Sequence, residues 1–238
     1  LFDPDIIILS QERQARTMIR NYEKIPSKMD PKVQLKIIPG HFVTTHSHVT
    51  NYMEITTLKS RCSEAHGLAS LLAMRYSVDT PVDSIICLDG TQVIGTYLAE
   101  ELTKAGILSY NAHRTIYVIS PELAPTGQII FRDNMAQLAL RKKHVLLLLG
   151  SLTTGNSLRS IAASMTYYGA FISGACAVFS TVEEVDGLPV TAVFHSDDLP
   201  EYNSYKPNEC PLCKQGIPID AIVNSFGYSE LGRKSDIY

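Results

Sequence analysis

The stretch Leu147-Leu148-Leu149-Gly150-Ser151-Leu152-Thr153-Thr154-Gly155-Asn156-Ser157 carries an aliphatic run into a small, hydroxyl-rich turn and then into helix-forming sequence. Small residues let successive backbone N–H groups converge on one anion, and a following helix adds its positive N-terminal end. Thr153, Thr154 and Ser157 bring hydroxyl donors, and Ser151, Gly155 and Asn156 complete a cradle suited to one phosphate group. The same pattern also fits an ordinary strand-to-helix loop with Ser157 as its N-cap. A second turn, Cys87-Leu88-Asp89-Gly90-Thr91-Gln92, offers a carboxylate and a hydroxyl but no cation. A carboxylate facing an anion repels it unless a metal ion lies between them.

Cys210-Pro211-Leu212-Cys213 has the spacing of a zinc knuckle, in which two thiolates converge on one ion. Two thiolates are half of a tetrahedral set. The pair is therefore either half of a site for Zn2+ or another thiophilic metal, or two plain reduced thiols. His195, Asp197 and Asp198 precede it, and a twofold partner would supply a second pair. A redox pair would open a helix after a strand, which this one does not. Cys62, Cys87 and Cys176 read as buried thiols of a reducing compartment. His46 and His48 alternate on an extended segment and share a face, with no third ligand in view. The expected roles are surface or half-buried for His66, a solvated turn for Asp197-Asp198, and sheet packing for Tyr167-Tyr168.

The elements that must position these residues follow from periodicity. Ser10 is an N-cap for a helix running to about Tyr22, and Pro26, Pro31 and Pro39 mark an extended connector. His41 to Thr57 predicts a short hairpin. Ser63 to Tyr76 predicts a helix with Leu68, Leu71 and Leu72 on one face. Strands then alternate with helices: Ser84–Leu88, a helix from Thr91 to Lys104 closed by Gly106, strands at Thr115–Ile119 and Val145–Leu149, a helix from Ser157 to Tyr168 ending at Gly169, and strands at Phe171–Phe179 and Val190–Phe194. That alternation predicts an α/β fold whose central, mainly parallel sheet is flanked by helices. Ligands in such sheets bind beyond the carboxyl ends of the strands, where both turns lie.

Leu147 to Ser157 resembles the PRPP (phosphoribosyl diphosphate) loop of type I phosphoribosyltransferases, where a hydrophobic strand meets two acidic residues and a Thr-Thr-Gly-x-Ser/Thr turn. Gly40-His41-Phe42-Val43-Thr44-Thr45-His46-Ser47, followed by Asn51-Tyr52-Met53-Glu54, is similar to the Gly-x-Phe-x-Leu-x-Ser-Gly…Tyr segment of orotate phosphoribosyltransferases. Cys210 to Cys213 with Gly216-Ile217-Pro218 is similar to a tail of some members. The resemblance spans roughly His41 to Ala177. It implies one domain over residues 1–238, with a core of about 60–195 and a hood from about 25–59 and 196–238. It also implies a ligand that is a phosphorylated ribose or a nucleotide, Mg2+ only where PRPP is used, and a homodimer.

Several positions depart from the family pattern. Leu149 and Gly150 stand at the two acidic positions, whose carboxylates accept hydrogen bonds from the ribose hydroxyls in the family. Asp89, Gly90 and Thr91 stand in the diphosphate loop, where a basic residue is common, and Thr45 stands where the hairpin lysine is expected. The catalytic loop corresponds to Gln128–Lys143, with Arg132 as its candidate anion-binding group and Arg141 to Lys143 as a solvated edge. Catalytic transfer is therefore expected to be impaired or altered, and a non-catalytic nucleotide sensor or regulatory subunit is the alternative. An unrelated α/β protein with a coincidental Thr-Thr-Gly turn is a third.

Composition sets the outer bounds. With 45% hydrophobic and 19% charged residues, the chain has material for a sizeable core. Lys and Arg number 21 against 24 Asp and Glu, so the net charge of −3 offers nothing to nucleic acid or an anionic membrane surface. The longest aliphatic run, Val145 to Leu149, is five residues, and a spanning helix needs about 20. No charged-then-apolar signal pattern opens the sequence. A cytoplasmic protein without membrane or nucleic-acid partners is expected.

Overall fold

A computed structural model of the chain describes residues 22–104, 106, 109–123, 129–132, 134–199, 201–224 and 227–231. The helix expected from Ser10 lies outside them, apart from Tyr22. The first elements are β1 (Glu23–Pro26), β2 (Gln34–Val43), β3 (His48–Glu54), α1 (Thr56–Ser60) and α2 (Cys62–Tyr76). Next come β4 (Ser84–Cys87), α3 (Gln92–Lys104), β5 (Tyr117–Ile119), β6 (Glu122–Leu123), β7 (Ile129–Ile130) and a π turn at Ala136–Leu140. β8 (His144–Leu152), α4 (Asn156–Tyr167), β9 (Phe171–Ser180), β10 (Glu184–Val185) and β11 (Leu188–His195) follow. The chain closes with β12 (Ser204–Tyr205), α5 (Pro211–Lys214), β13 (Ala221–Asn224) and β14 (Gly227–Glu230). The described residues form two compact units: those within 1–25, Gln34–Glu54 and those within 201–238 form one, and Pro26–Val33 and those within 55–200 the other.

The larger unit holds a sheet in the order β10-β11-β9-β8-β4-β5. β4 is buried along its whole length, and β8 from Val145 through Gly150. Strands covered on both faces read as continuous aliphatic runs, which is why Val145 to Leu149 is so apolar. Pairs from β11 to β5 are parallel, and only the β10–β11 hairpin is antiparallel. Its Asp186-Gly187 turn has φ of 52° and 83°, the mirror-image turn that an Asp-Gly pair favours. α2 buries Leu68, Leu71, Leu72 and Tyr76, and the Tyr76 hydroxyl donates to Ala175 O at 2.9 Å. α3 buries Ile94, Leu98 and Leu102 at helical spacing.

Gly95 permits the close approach of α3 to β4, since a Cβ there would lie 2.3 Å from Cys87 Sγ and 3.2 Å from Val118 Cγ1. Gly95→Ala should therefore destabilise the protein by about 1–3 kcal/mol through overpacking, seen as a lower urea midpoint at unchanged m-value. An unchanged midpoint would show that α3 can retreat freely from the sheet.

Three differences from the sequence reading have clear causes. β8 continues to Leu152 rather than stopping at Leu149, because Ser151 pairs with Phe179, Leu152 pairs with Ser180, and Leu152 is buried. The turn ahead of α4 shrinks accordingly. Pro39 lies inside β2 at a register shift between Pro39 and Phe42, a bulge that tolerates its missing N–H. Cys62, at the exposed start of α2, is not buried.

The smaller unit is a sheet in the order β12-β3-β2-β13-β14, with β1 also on β2. One buried cluster in it is Ile38, Phe42, Val49, Tyr52, Ala221 and Val223. Phe42 and Tyr52 rings lie 5.9 Å apart, and Tyr52 and Tyr228 rings 5.3 Å apart in an edge contact. Among the described residues no helix is long and apolar enough to cross a membrane.

Candidate functional site

The winding of the larger sheet defines its crevice. From β4 the chain passes through α3 to β5 on one side, and from β8 through α4 to β9 on the other. β4 and β8 are themselves neighbours, with Cys87 opposite Leu148. The direction of winding thus reverses between them, and the gap beyond their carboxyl ends is the topological switch point where such sheets bind ligands. The turns after β4 and after β8 both open there.

In the second turn, Gly155 is the N-cap of α4 with φ 75°, and no side chain caps the helix. The sequence expectation of Ser157 as N-cap is corrected: it is the second helical residue and exposed. The reason is Gly155 itself, whose left-handed φ turns the chain two residues earlier than a cap at Ser157 would. Arg159 N–H donates to Gly155 O, the first helical bond. The N–H groups of Asn156, Ser157 and Leu158 have no helical acceptor, and a glycine cap leaves them to a ligand. Thr153 and Thr154 lie in the turn, with Thr154 exposed and Thr153 O accepting from Thr181 Oγ1 at 2.6 Å. Ser151 stays within β8, half-buried.

The sequence reading missed a cation at this turn. Arg159 Nη1 reaches Asn156 Oδ1 at 3.1 Å and Thr154 O at 3.4 Å, and its Nε donates to Asp186 at 3.0 Å. Arg159 follows Ser157 by two residues, and its position on the first turn of α4 was the available signal.

The first turn is also more structured than expected. Asp89 and Gly90 have φ of 55° and 79°. Thr91 is fully buried, and its hydroxyl donates to Leu88 O at 2.8 Å and to Leu148 O at 3.2 Å, which ties the end of β4 to β8. Thr91 is thus a brace rather than a group presented to ligand. Lys59 of α1 donates to Asp89 O at 2.7 Å, so the turn has a cation after all, supplied from 30 residues earlier. Asp89 does not face outward alone: Gly150 N–H donates to its Oδ2 at 3.2 Å. A Cβ at Gly150 would lie 3.1 Å from Asp89 Cβ. The Asp89 side chain therefore fills the space that a side chain at 150 would take.

Leu149 is 1% exposed and belongs to the main core with Leu147, Leu158 and Ala177. Arg132 is exposed and ion-paired with Glu122. Its neighbour Asp133 and the segment 124–128 lie outside the described residues. Arg141, Lys142 and Lys143 precede β8, at the end of the sheet away from both turns, and Arg141 and Lys142 are exposed. Tyr167 is 85% exposed and does not pack on the sheet, whereas Tyr168 donates to Ile129 O at 3.1 Å. Burial pushes the Cys87 thiol up to about 12, and burial followed by the nearby Cys87 pushes Cys176 up as well, so neither is a reactive thiol.

In the smaller unit, Cys210 and Cys213 meet His41 and His48. The sequence reading paired His48 with His46, but His46 is exposed in the bend between β2 and β3. His48 lies opposite Val43, and His41 is two residues before Val43 on the same strand, so both rings share one face. Asp198, weighed as a further ligand, instead pairs with Lys28 at 2.6 Å and accepts the His195 N–H at 2.8 Å, which also corrects its reading as a solvated turn.

The larger unit is the mainly parallel α/β sheet that the sequence predicts, with both turns at its switch point. By sequence the chain is similar to orotate phosphoribosyltransferases. It is 27% identical to that of Chlorobium phaeobacteroides over 190 residues, covering 78% of this chain and 88% of the relative. To that of Chlorobaculum parvum it is 26% identical over 189 residues, with the same coverage. A phosphoribosyltransferase structure from Corynebacterium diphtheriae aligns at 18% identity and a TM-score of 0.47, over 68% of this chain and 90% of that one. No family model matches the chain.

Proposed function

We propose that this orotate phosphoribosyltransferase-like protein binds the 5′-phosphate of a phosphoribosyl group or nucleotide on Thr153–Ser157, and that PRPP-dependent glycosyl transfer is impaired or altered. The observation that carries the reading is the glycine-capped start of α4 at the switch point, with Arg159 beside it. A phosphomonoester there accepts the first-turn N–H groups of Asn156 and Ser157 and the hydroxyls of Thr154 and Ser157, within the positive end of the helix. Asn156 is oriented by Arg159 rather than free to rotate.

Ribose recognition is where the site departs from its relatives. With Leu149 turned into the core and Gly150 bearing no side chain, neither of the two acidic positions offers a carboxylate to the crevice. A hydrogen bond to a charged group contributes about 1.5–3 kcal/mol, so two lost bonds cost roughly 3–6 kcal/mol, or about a hundredfold to ten-thousandfold in affinity. Asp89 returns one carboxylate to the space beside Gly150, from the neighbouring turn. Donor recognition is accordingly rearranged, and Mg2+ enters only where the diphosphate donor is used. The buried apolar Leu149 also favours a second reading, a non-catalytic nucleotide sensor or regulatory subunit.

A thermal-shift series with nucleoside monophosphates, ribose 5-phosphate and PRPP with Mg2+ tests the proposal. Stabilisation by the monophosphates, lost in Arg159→Ala, is the expected result. Stabilisation by monophosphates with none from PRPP selects the sensor. Rapid orotate-dependent consumption of PRPP would overturn the impairment, and no shift with any phosphate would overturn the phosphate site.

A further inference from the structure

We propose that His41, His48, Cys210 and Cys213 form a tetrahedral Cys2His2 site for Zn2+ that fastens the C-terminal segment to the β2–β3 hairpin. Their donor atoms all lie within 4.8 Å of one another. Zn–S bonds of about 2.3 Å and Zn–N bonds of about 2.0–2.1 Å set tetrahedral edges near 3.6 Å between S and N and near 3.3 Å between two N. Here Cys210 Sγ and Cys213 Sγ are each 3.6 Å from His41 Nε2, Cys213 Sγ is 3.4 Å from His48 Nδ1, and the two imidazole nitrogens are 3.0 Å apart. Four of the six donor–donor distances thus match the edges of a tetrahedral shell to within about 0.3 Å.

The surroundings prepare the ligands. His41 Nδ1 faces two carbonyls, Ile217 O at 3.0 Å and Pro218 O at 3.2 Å. Carbonyls only accept, so Nδ1 carries the proton and Nε2 presents its lone pair inward, the outer bond that orients a metal-binding imidazole. His41 N–H donates to Asp220 Oδ2 at 2.9 Å, which holds the strand carrying the ligand. Pro211 starts α5 directly after Cys210, and Gly216 at φ 73° turns the chain back after it, so both thiols sit on one tight turn. His41, His48 and Cys210 are buried, whereas Cys213 is exposed and gives the ion a way in.

The fold supplies a reason for such a fastening. Among the described residues, β12 meets β3 at two positions and β13 meets β2 at two, and the buried cluster that joins β2 and β3 to β13 is six residues. Small cores of that kind gain much of their stability from a structural metal. Closing the segment at His48 to the one at Cys210 joins parts of the chain more than 160 residues apart.

Protein purified without chelator should carry one equivalent of zinc per chain by elemental analysis. Replacement with Co2+ should give the visible spectrum of a tetrahedral, thiolate-ligated ion. Native protein should show Cys62 reacting with a thiol reagent while Cys213, although exposed, reacts only after a chelator removes the metal. Cys213→Ser should lose the equivalent and bind zinc about 100-fold more weakly or worse, beyond what loss of an outer-shell partner costs. Cys62→Ser should change nothing. A folded, zinc-free protein that takes up no Co2+, or native Cys213 reacting as fast as Cys62, would overturn the site. Should Cys213→Ser fail to fold, the wild-type metal content and thiol-protection measurements decide by themselves.

Discussion

Leu149→Asp, which places a carboxylate at the first acidic position of the loop this segment resembles, is expected to yield no stably folded protein. Leu149 is 1% exposed in the middle of β8, opposite Ala177 of β9 and on the same face as Leu147. Losing its buried side chain costs about 2–5 kcal/mol, and a carboxyl group without a partner in apolar surroundings adds several more, even when it takes up a proton to become neutral. Together these match the roughly 5–15 kcal/mol by which most domains are stable. Leu149→Met, which conserves volume, should cost less than about 1.5 kcal/mol. Thermal melts of both variants decide the matter. A Leu149→Asp protein with a near-native midpoint would mean that side chains at 149 reach the crevice.

Gly150→Asp behaves differently. Its Cβ would sit 3.1 Å from both Asp89 Cβ and Ile55 Cδ1, and the new carboxylate would crowd that of Asp89. Combining it with Asp89→Gly removes the crowding and suits the positive φ of position 89. The double variant should therefore melt higher than Gly150→Asp alone. If donor affinity is carried by a carboxylate in that one space, the double variant keeps it.

Gly155→Ala is the second large effect. Position 155 has φ 75°, which costs an L-residue about 1–2 kcal/mol, and its new Cβ would approach Val185 Cγ2 to 2.7 Å. Val185 is β-branched and buried, so it has little freedom to move aside. A total loss of about 2–4 kcal/mol is expected from strain and overpacking together. Gly187→Ala separates the two contributions, because its φ is 83° but nothing lies within 4 Å of its Cβ. Gly155→Ala should also abolish the thermal shift given by nucleoside monophosphates, whereas Gly187→Ala should leave it. Equal stability losses in the two variants would remove the Val185 contact from the account.

Much of the larger unit was legible because its strands are local. A run such as Val145 to Leu149 must be buried on both faces wherever the chain goes, and Leu68, Leu71 and Leu72 mark one helical face without reference to any partner. The Asp186-Gly187 hairpin was legible too, and went unread. The extent of β8 was not. Whether Ser151 and Leu152 belong to a loop or a strand depends on Phe179 and Ser180, which lie some 28 residues on and are matched only by pairing.

The amino-acid sequence alone determined the α/β alternation, the small turn before α4 and the knuckle spacing of Cys210 and Cys213, since each rests on residues within a few positions of one another. Tertiary structure decided the partners. Lys59 comes to Asp89, Asp89 takes the space beside Gly150, and His41 and His48 come to the cysteines, over separations from 30 to more than 160 residues. Chemistry at these sites depends on distances of about 3–4 Å, and sequence spacing carries that information only while the chain between the residues is a single helix, strand or turn.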